Sequence, residues 1–309
     1  MTVCTRELGR WGKLLSVGSG ALLGMLAAAL PARAEIQPLK LSFAPEDESV
    51  YAPPVPARED QGTNMGGVNL DLSFSFLSDY VYRGVNHSDL PRSSHKPNFQ
   101  FQGVVSFNTG KLPHPFVGIF ANIFDSDPVS RFQEIRPFAG IEWTVRPITL
   151  DAGINSYIYP EREAFNTSEV WMKLTLDDAV IFRTERPLFT PYLYAAYDYD
   201  KNKGFYVEAG VSHDFVIEDY GLTFTLLADV AYISHFQQQF IFTGIKSSGF
   251  QHYDGGLIAT YQLNNLLKVS KRFGEIDLKG YLYYTDGIGP QILHAESTVW
   301  GGAGLQFKY

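Results

Sequence analysis

Apolar and polar residues alternate along most of the chain from residue 68 to its end. A period of two places successive side chains on opposite faces, which is typical of a β-strand with one apolar and one polar face. The last segment, 298–309, repeats the pattern of the first, 68–83. The apolar face of the first segment comprises Val68, Leu70, Leu72, Phe74, Phe76, Tyr80 and Tyr82.

Ten further segments with strand character lie between these two, so twelve strands are predicted. They are 97–108, 114–124, 132–146, 147–159, 166–177, 187–199, 204–217, 220–234, 251–263 and 274–286. Segment 114–124 is apolar on both faces, which leaves a local bulge or an inward-packed stretch open there. An even strand number is typical of single-chain bacterial outer-membrane barrels. The pattern therefore predicts an all-β fold, a transmembrane antiparallel up-and-down β-barrel of about 12 strands.

A soluble β-sandwich also shows alternation and is the alternative fold. Most of the predicted strands exceed the ~5–6 residues usual in globular sheets and match the ~9–11 residues of a tilted transmembrane strand. Aromatic residues also concentrate near strand ends, where barrels carry interfacial girdles. The predicted girdle pairs are Tyr80 and Tyr82, Tyr157 and Tyr159, Tyr197 and Tyr199, Tyr283 and Tyr284, and Phe307 and Tyr309.

The N-terminal residues predict export. Arg6, Arg10 and Lys13 precede an apolar run over 14–30, which ends in the small-residue site Pro31-Ala32-Arg33-Ala34. This layout is that of a secretory signal peptide over 1–34, with an uncleaved membrane anchor as the alternative. Residues 35–66 are rich in proline and acids and predict a flexible periplasmic segment. The barrel is expected to occupy 67–309.

Charge and cysteine content exclude several classes of function. The whole chain has 25 basic and 33 acidic residues, of which the predicted signal peptide contains four basic residues and one acidic residue. The mature chain therefore has a formal net charge of 21 − 32 = −11. So acidic a chain repels nucleic acid, and no nucleic-acid partner is expected. The single cysteine, Cys4, lies in the signal peptide, so the mature chain has neither disulfides nor a thiolate metal site.

A periplasmic N-terminus would assign every connection to one side of the membrane. The periplasmic connections would lie near 109–113, 145–147, 178–187, 217–220 and 264–273, and most are short. The external loops would lie near 84–96, 125–131, 160–165, 200–203, 235–250 and 287–297, and several are long, as expected of such barrels. Loop 235–250 is unusually apolar. It could enter the barrel mouth, extend its strands outside the membrane or contact a partner.

The polar strand faces indicate what lines the predicted lumen. An acidic lining concentrates cations and repels anions. Alternatively, the charges pair across strands and fill a closed interior, because ~8 strands are plugged whereas ~16 leave a channel. The predicted inward acids are Asp71, Asp79, Glu134, Glu142, Asp151, Glu169, Glu208, Asp214, Asp229, Asp254, Glu275 and Asp277, and the inward bases are Arg83, Arg136, Lys173 and Lys279.

Two short stretches resemble a known family. The stretch SDYVYRGVNHSD, 78–89, is similar to the first strand and loop of the TorF-type porin family, whose function is poorly defined, and SYIYPEREAFNTSEVWMKLTL, 156–176, is similar to a second segment of it. The resemblance implies an outer-membrane β-barrel and allows a channel, with no catalytic residues to carry over. On this barrel, Tyr80 and Tyr82 are expected to face lipid. Asp79 and Arg83 are expected to face the external mouth and to pair with neighbouring strands rather than with each other.

Candidate chemistry elsewhere is weak. Ser212, His213 and Asp214 have the residue types of a hydrolase triad, but neighbours on a strand point to opposite faces. The loop Asp198–Gly204 has its glycine misplaced for a calcium-binding EF-hand and is better interpreted as a polar hairpin loop. No cofactor, metal site or catalytic residue is predicted.

The function predicted from sequence is a porin-like outer-membrane channel for small hydrophilic solutes, with a net acidic, cation-leaning lumen. Lipids of the outer membrane and the solutes are the expected partners. A closed structural or adhesive barrel is the first alternative, and an outer-membrane lipid hydrolase is the second.

Overall fold

A computed structural model describes residues 41–42, 67–87, 97–124, 133–160, 163–234, 248–288 and 297–309. The predicted signal peptide and nearly all of the predicted periplasmic segment lie outside the described residues. So do residues 88–96, 125–132, 235–247 and 289–296, which belong to loops at the same end of the predicted strands. The loop over 160–165 lacks only 161–162 and contains a 3₁₀ turn at Glu163–Phe165.

Twelve long strands follow one another along the chain. They are β1 (Val68–Leu77), β2 (Asn98–Phe107), β3 (His114–Phe124), β4 (Glu134–Val145), β5 (Ile148–Tyr157), β6 (Thr167–Leu176), β7 (Tyr192–Asp198), β8 (Phe205–Ile217), β9 (Leu222–Ser234), β10 (Gly249–Gln262), β11 (Glu275–Gly287) and β12 (Thr298–Lys308). Each pairs antiparallel with the strands before and after it, and β12 pairs with β1. The sheet is therefore a closed barrel, which confirms the predicted fold and strand number.

Closure gives every strand of the barrel a partner on each side, so the sheet has no exposed edge strand. β7 pairs with only the first half of β8, up to Gly210. A two-residue strand, Leu41–Ser42, adds to the sheet by pairing with Ile217 and Val216 of β8.

The two faces of the strands differ sharply in chemistry. In β6, Glu169, Trp171 and Lys173 are buried, whereas Val170 and Met172 are exposed on the outside. The exposed side chains of the barrel include a large share of its Phe, Ile, Leu and Val residues, among them Phe76 at 60% exposure. An apolar exterior of this extent suits contact with lipid chains rather than with water.

The connections at one rim are those that the sequence predicted as periplasmic. The link between β4 and β5 is only Arg146 and Pro147, joined by a cis peptide bond. The link after β6 contains a short helix, α1 (Ala179–Phe182), and the link after β10 contains α2 (Asn264–Leu267). Three-residue 3₁₀ turns occur at Glu218–Tyr220 and Lys271–Phe273. Among the described residues, no helix has the length and apolarity needed to cross a bilayer.

At the opposite rim, the loop after β7 has the chemistry of a polar hairpin. The Asp198 carboxylate accepts hydrogen bonds from the backbone N–H groups of Asp200 and Asn202, each at 3.1 Å, and from the hydroxyl of Thr167. Asn202 also donates its side-chain amide to Asp198 at 2.5 Å. The acid is thus occupied in holding the loop closed, as expected of turn chemistry.

Two strand boundaries differ by five residues or more from the sequence prediction. β1 ends at Leu77 rather than running to residue 83, and β7 begins at Tyr192 rather than near 187. β3 has a regular register against both neighbours, so the bulge considered there does not occur. Phe116 and Phe120 of β3 point inward and are buried, which explains why both of its faces are apolar. The register shift lies instead between Ala231 and Tyr232, where β9 pairs with β10.

Candidate functional site in the barrel interior

The chain enters the barrel immediately after β1. We call residues Ser78–His87 the inner hairpin, because Val81 and Tyr82 pair antiparallel with Asn86 and Val85. The backbone N–H of His87 donates to the carbonyl oxygen of Tyr80 at 2.7 Å and closes the hairpin at its base. All of its residues except Ser78 are buried.

A left-handed turn makes the inner hairpin possible. Arg83 and Gly84, the two central residues, have φ angles of 49° and 72°. Two successive positive φ angles are the mark of the type I′ turn that connects tight hairpins. Glycine tolerates this conformation, whereas arginine adopts it uncommonly, so the turn depends on the contacts that the arginine side chain makes.

The predicted lipid-facing position of Tyr80 and Tyr82 is wrong. Their exposures are 2% and 3%, and both lie inside the barrel. The Tyr80 hydroxyl donates to Glu134 Oε2 at 2.8 Å, and the Tyr82 and Tyr157 hydroxyls lie 2.6 Å apart. The physical reason is that β1 ends at Leu77. Beyond that residue the alternation continues in the sequence, but the residues are no longer part of the barrel wall.

Other predicted girdle residues divide between the two faces. Tyr157, Tyr159 and Tyr283 are buried in the interior, which corrects the prediction for these three. Tyr199 and Tyr284, near strand ends, are exposed, as is the C-terminal Tyr309. A phenol can bury its ring and still satisfy its hydroxyl, so an interior with many polar partners accepts tyrosine as readily as an interface does.

Arg83 of the inner hairpin forms a two-pronged ion pair with β6. Its Nη1 and Nη2 atoms donate to Glu169 Oε2 and Oε1 at 3.0 and 2.9 Å. Tyr157 and Asn155 also donate to Glu169, at 2.5 and 3.0 Å. The guanidinium lies 4.3 Å from the ring centre of Tyr206 on β8. A buried carboxylate with this many donors is held in one position, and it holds the arginine with it.

A second ion pair supports the base of the hairpin. Arg136 of β4 donates to Glu134 Oε1 through Nε at 2.7 Å and Nη2 at 2.5 Å, and to the Tyr80 hydroxyl at 3.2 Å. Its guanidinium lies 4.3 Å from the ring centre of Tyr82 and 4.6 Å from that of Tyr157. The hairpin rings are thus held between a charged group and the barrel wall.

Polar groups of the inner hairpin also bond to one another. Asp79 accepts from the hydroxyl of Ser78 at 2.8 Å and from the side-chain amide of Asn86 at 3.1 Å. The ring of His87 packs 5.2 Å from that of Tyr80.

The turn of the inner hairpin reaches β10. Gln251 donates its side-chain amide to the carbonyl oxygen of Arg83 at 2.9 Å. A Cβ atom at Gly84 would lie 2.5 Å from Cγ of His252, so the turn rests directly on that ring. Together these contacts connect the hairpin to β4, β5, β6, β8 and β10. The hairpin therefore lies across the interior, and any passage through the barrel must run beside it.

The remaining residues predicted to line the lumen lie on the barrel strands. Glu142, Asp151, Lys173, Glu208, Asp229, Asp277 and Lys279 are buried, as are Asp214 and Asp254, whereas Asp71 and Glu275 are partly exposed. The side-chain amide of Gln306 donates to Asp71 at 2.8 Å. Asp151 on β5 lies directly opposite Lys173 on β6. The Lys173 Nζ atom also lies 4.5 Å from the ring centre of Tyr192.

The Ser212-His213-Asp214 sequence does not assemble as a triad. Ser212 and Asp214 are buried on the inner face, and Asp214 accepts from Thr225 at 2.5 Å. The His213 ring bonds through Nδ1 to the carbonyl oxygen of Leu188 and packs edge-on against Phe215. The imidazole is therefore engaged away from the serine, as the alternation predicts.

Sequence reasoning missed the inner hairpin. The strongest local sign of a type I′ turn is Asn-Gly or Asp-Gly, and here the pair is Arg83-Gly84. Tyr80 and Tyr82 continue the alternation of β1, so the periodicity does not show that β1 ends at Leu77. Gly84 was the only available signal, and alone it is weak.

The chain belongs to the Gcw_chp family, described as bacterial proteins of unknown function, whose family model matches residues 61–297. The match includes the inner hairpin and nearly the whole barrel. It does not confirm the TorF-type name, which stays a resemblance. A search of curated proteins gives no match.

Several solved structures are similar in fold. The COG4313 outer-membrane channel from Pseudomonas putida F1 is 9% identical with a TM-score of 0.48, covering 82% of this chain and 99% of that chain. The NanC porin is 11% identical with a TM-score of 0.45, covering 78% and 100%. The KdgM porin, in complex with disordered oligogalacturonate, is 8% identical with a TM-score of 0.41, covering 78% and 99%. Similarities at this level are too weak to indicate a function.

Proposed function

We propose that this member of the Gcw_chp family is an outer-membrane channel for small hydrophilic solutes, with an acidic interior that favours cations. We also infer that residues 1–34 direct export and that 35–66 lie in the periplasm. The TorF-type resemblance of 78–89 and 156–176 agrees with this proposal.

The observation that carries the proposal is the charge of the interior. Among the described residues, eleven buried acids lie on the barrel strands or the inner hairpin, against four buried bases. Two of those bases, Arg83 and Arg136, are engaged with Glu169 and Glu134, so the acidic excess remains after these ion pairs are counted. Buried carboxylates in such excess are costly in a dry core. A water-filled passage beside the inner hairpin would hydrate the carboxylates that line it and attract cations.

The barrel dimensions support a passage of limited width. Twelve strands lie between the ~8 that side chains fill and the ~16 that leave an open aqueous channel. The inner hairpin occupies part of that space. The expected passage is therefore narrow and selective for small solutes rather than a wide pore.

The test is conductance of the purified full-length or mature chain in planar lipid bilayers. We expect discrete conductance steps and, in a KCl gradient, a reversal potential that shows cation preference. Anion preference would contradict the acidic selectivity, and the lack of any step would contradict the channel.

A second candidate function, a closed structural or adhesive barrel, is favoured by the inner hairpin itself. A variant in which Ser78–His87 is replaced by a short Gly/Ser linker separates the two functions. The channel predicts steps in the wild type and larger steps in the variant. The closed barrel predicts steps in the variant alone.

A further inference from the structure

We propose that Glu208, Asp229 and His252 bind a divalent transition-metal ion, of which Zn²⁺ is the type, on the inner wall of the barrel. Each can direct one ligand atom to a common point, because these atoms all lie within 4.8 Å of one another. The site uses two carboxylates of the acidic interior, Glu208 and Asp229, and its test measures metal binding without any conductance measurement.

Three adjacent strands build the site. Glu208 lies on β8, Asp229 on β9 and His252 on β10. Glu208 pairs across the strands with Ala231, and Ala231 pairs with His252, so the glutamate and the histidine stand two strands apart in the same row. All three side chains point inward because they occupy the polar phase of their strands. Rigid strands fix ligand positions more closely than loops do.

His252 is the observation that points to a metal rather than to an acidic patch alone. Its exposure is 0%, and within the described part of the chain neither ring nitrogen forms a hydrogen bond. A buried imidazole without hydrogen bonds is costly, because both nitrogens have lost water. Coordination of a metal by one nitrogen would satisfy the atom that faces the carboxylates.

A neighbouring acid completes the environment of the histidine. Oδ2 of Asp254 lies 3.5 Å from Nε2 of His252, and both side chains are fully buried. Ligating histidines ordinarily give their second ring nitrogen to a carboxylate, which fixes the ring orientation. In the described residues, neither carboxylate oxygen of Asp254 has a hydrogen-bond partner, so this acid is available for that role.

The charges of the cluster call for a cation. Asp229 and Asp254 are directly opposite each other on β9 and β10, and like charges in that arrangement repel. Glu208 brings a third carboxylate, which is positioned by the hydroxyls of Tyr192 at 2.7 Å and Tyr206 at 2.5 Å. The nearby Arg83 is engaged with Glu169, so it does not serve as the counter-ion of this cluster.

The donor set selects the class of metal. Imidazole nitrogen favours Zn²⁺ and its first-row neighbours over Mg²⁺ and Ca²⁺, which prefer oxygen alone. Around tetrahedral Zn²⁺, with bonds of ~2.0–2.2 Å, ligand atoms stand roughly 3.4 Å apart. The observed limit of 4.8 Å therefore requires a contraction that side-chain rotation can supply.

The position of the site links it to the inner hairpin. The turn at Gly84 rests on the His252 ring, and the adjacent Gln251 donates to Arg83 of the same turn. A metal bound to His252 would fix the surface on which the turn rests. Its role would therefore be to hold the hairpin in place.

The experiment measures zinc binding by the chelator-treated, folded barrel in detergent micelles. Equilibrium dialysis against ZnCl₂, followed by elemental analysis, gives stoichiometry and affinity, and MgCl₂ serves as the comparison salt. We expect one zinc per chain, bound in preference to magnesium, and an at least tenfold weaker affinity in His252→Ala and in Asp229→Asn. Heat-modifiable migration in gel electrophoresis verifies that each variant is folded.

The matched control is His114→Ala, which removes a half-buried imidazole at the opposite rim, where its Nδ1 accepts from the backbone N–H of Thr109. It is expected to bind zinc as the wild type does. The proposal would be overturned if the wild type bound no zinc or bound it no more tightly than magnesium. It would also be overturned if the folded variants bound zinc as tightly as the wild type. Should His252→Ala fail to fold, the nearly isosteric Asp229→Asn decides the outcome alone.

Discussion

Arg83 and Glu169 meet inside the barrel, with two N–H···O contacts of 3.0 and 2.9 Å between a hairpin turn and a strand 86 residues further along the chain. Both side chains are almost fully buried. This pair fastens the inner hairpin to the wall. The sequence predicted that Arg83 pairs with a neighbouring strand, but Glu169 lies on β6, which does not pair with β1. The wall that Arg83 faces lies across the lumen from where β1 ends.

Breaking the Arg83–Glu169 pair is expected to destabilise the protein strongly. Arg83→Ala leaves the Glu169 carboxylate buried without its cation, and Glu169→Gln leaves the guanidinium without its anion. The expected loss in free energy of unfolding is about 3–5 kcal/mol for either change, measured by urea titration in micelles. The double variant should lose less than the sum of the two.

The matched control for that prediction is the exposed pair of Arg186 and Glu218, whose atoms stand 3.2 Å apart at the rim. Arg186→Ala should cost no more than ~1 kcal/mol, because water screens and replaces the interaction. Equal costs at the two sites would show that the inner pair is hydrated and does not fasten the hairpin.

A methyl group at Gly84 is expected to disturb the contact between the hairpin and β10. Gly84→Ala combines a positive φ of 72° with a Cβ that would lie 2.5 Å from the His252 ring. Gly110→Ala has the same backbone cost, with a φ of 73°, but its Cβ would meet nothing within 4 Å. The control should cost ~1–2 kcal/mol in free energy of unfolding.

Gly84→Ala should lower the free energy of unfolding by ~1–3 kcal/mol more than Gly110→Ala does, because overpacking usually costs that much. The difference between the two variants isolates the contact with His252 from the backbone strain. Identical losses would mean that the turn can move away from β10 at little cost.

Tryptophan fluorescence can test which face of the barrel meets lipid. Trp143 is 44% exposed on the outer face, whereas Trp300 is 1% exposed and donates its indole N–H to Thr285 at 3.1 Å. In vesicles of brominated lipid, a variant that retains only Trp143 in the barrel should be strongly quenched. A variant that retains only Trp300 should be quenched little, because the barrel wall separates it from lipid.

Both single-tryptophan variants replace the remaining barrel tryptophans, including Trp171, by phenylalanine and should be compared in unbrominated lipid first. Quenching of Trp300 to the same degree as Trp143 would contradict the assignment of inner and outer faces.

Neutralising buried acids should weaken cation preference if the barrel conducts. Glu142→Gln and Asp277→Asn each remove a negative charge from the interior without changing side-chain size. The ratio of cation to anion permeability should fall in both, because less negative potential remains along the passage. Asp219→Asn, at an exposed turn on the rim, should leave the ratio nearly unchanged. If Asp219→Asn lowered the permeability ratio as much as the interior variants do, the selectivity would arise at the rim instead.

Periodicity predicted most of the barrel because a strand in a closed barrel has one environment on each side. Segments 114–124 and 204–217 match β3 and β8 to within a residue, and β6 lies inside its predicted range. The prediction fails where a residue leaves the wall. Tyr80 and Tyr82 have the composition of an interfacial girdle, and only their contacts with Glu134 and Tyr157 show that they lie inside.

The sequence by itself determined the all-β class, the number of long strands and the polarity of each face, because alternation is a local property of neighbouring residues. Only the tertiary structure decided that Ser78–His87 turns into the lumen and that Glu208, Asp229 and His252 converge. These arrangements join residues that are distant in the chain. They depend on barrel closure and on the register between strands, and the local pattern of residues determines neither.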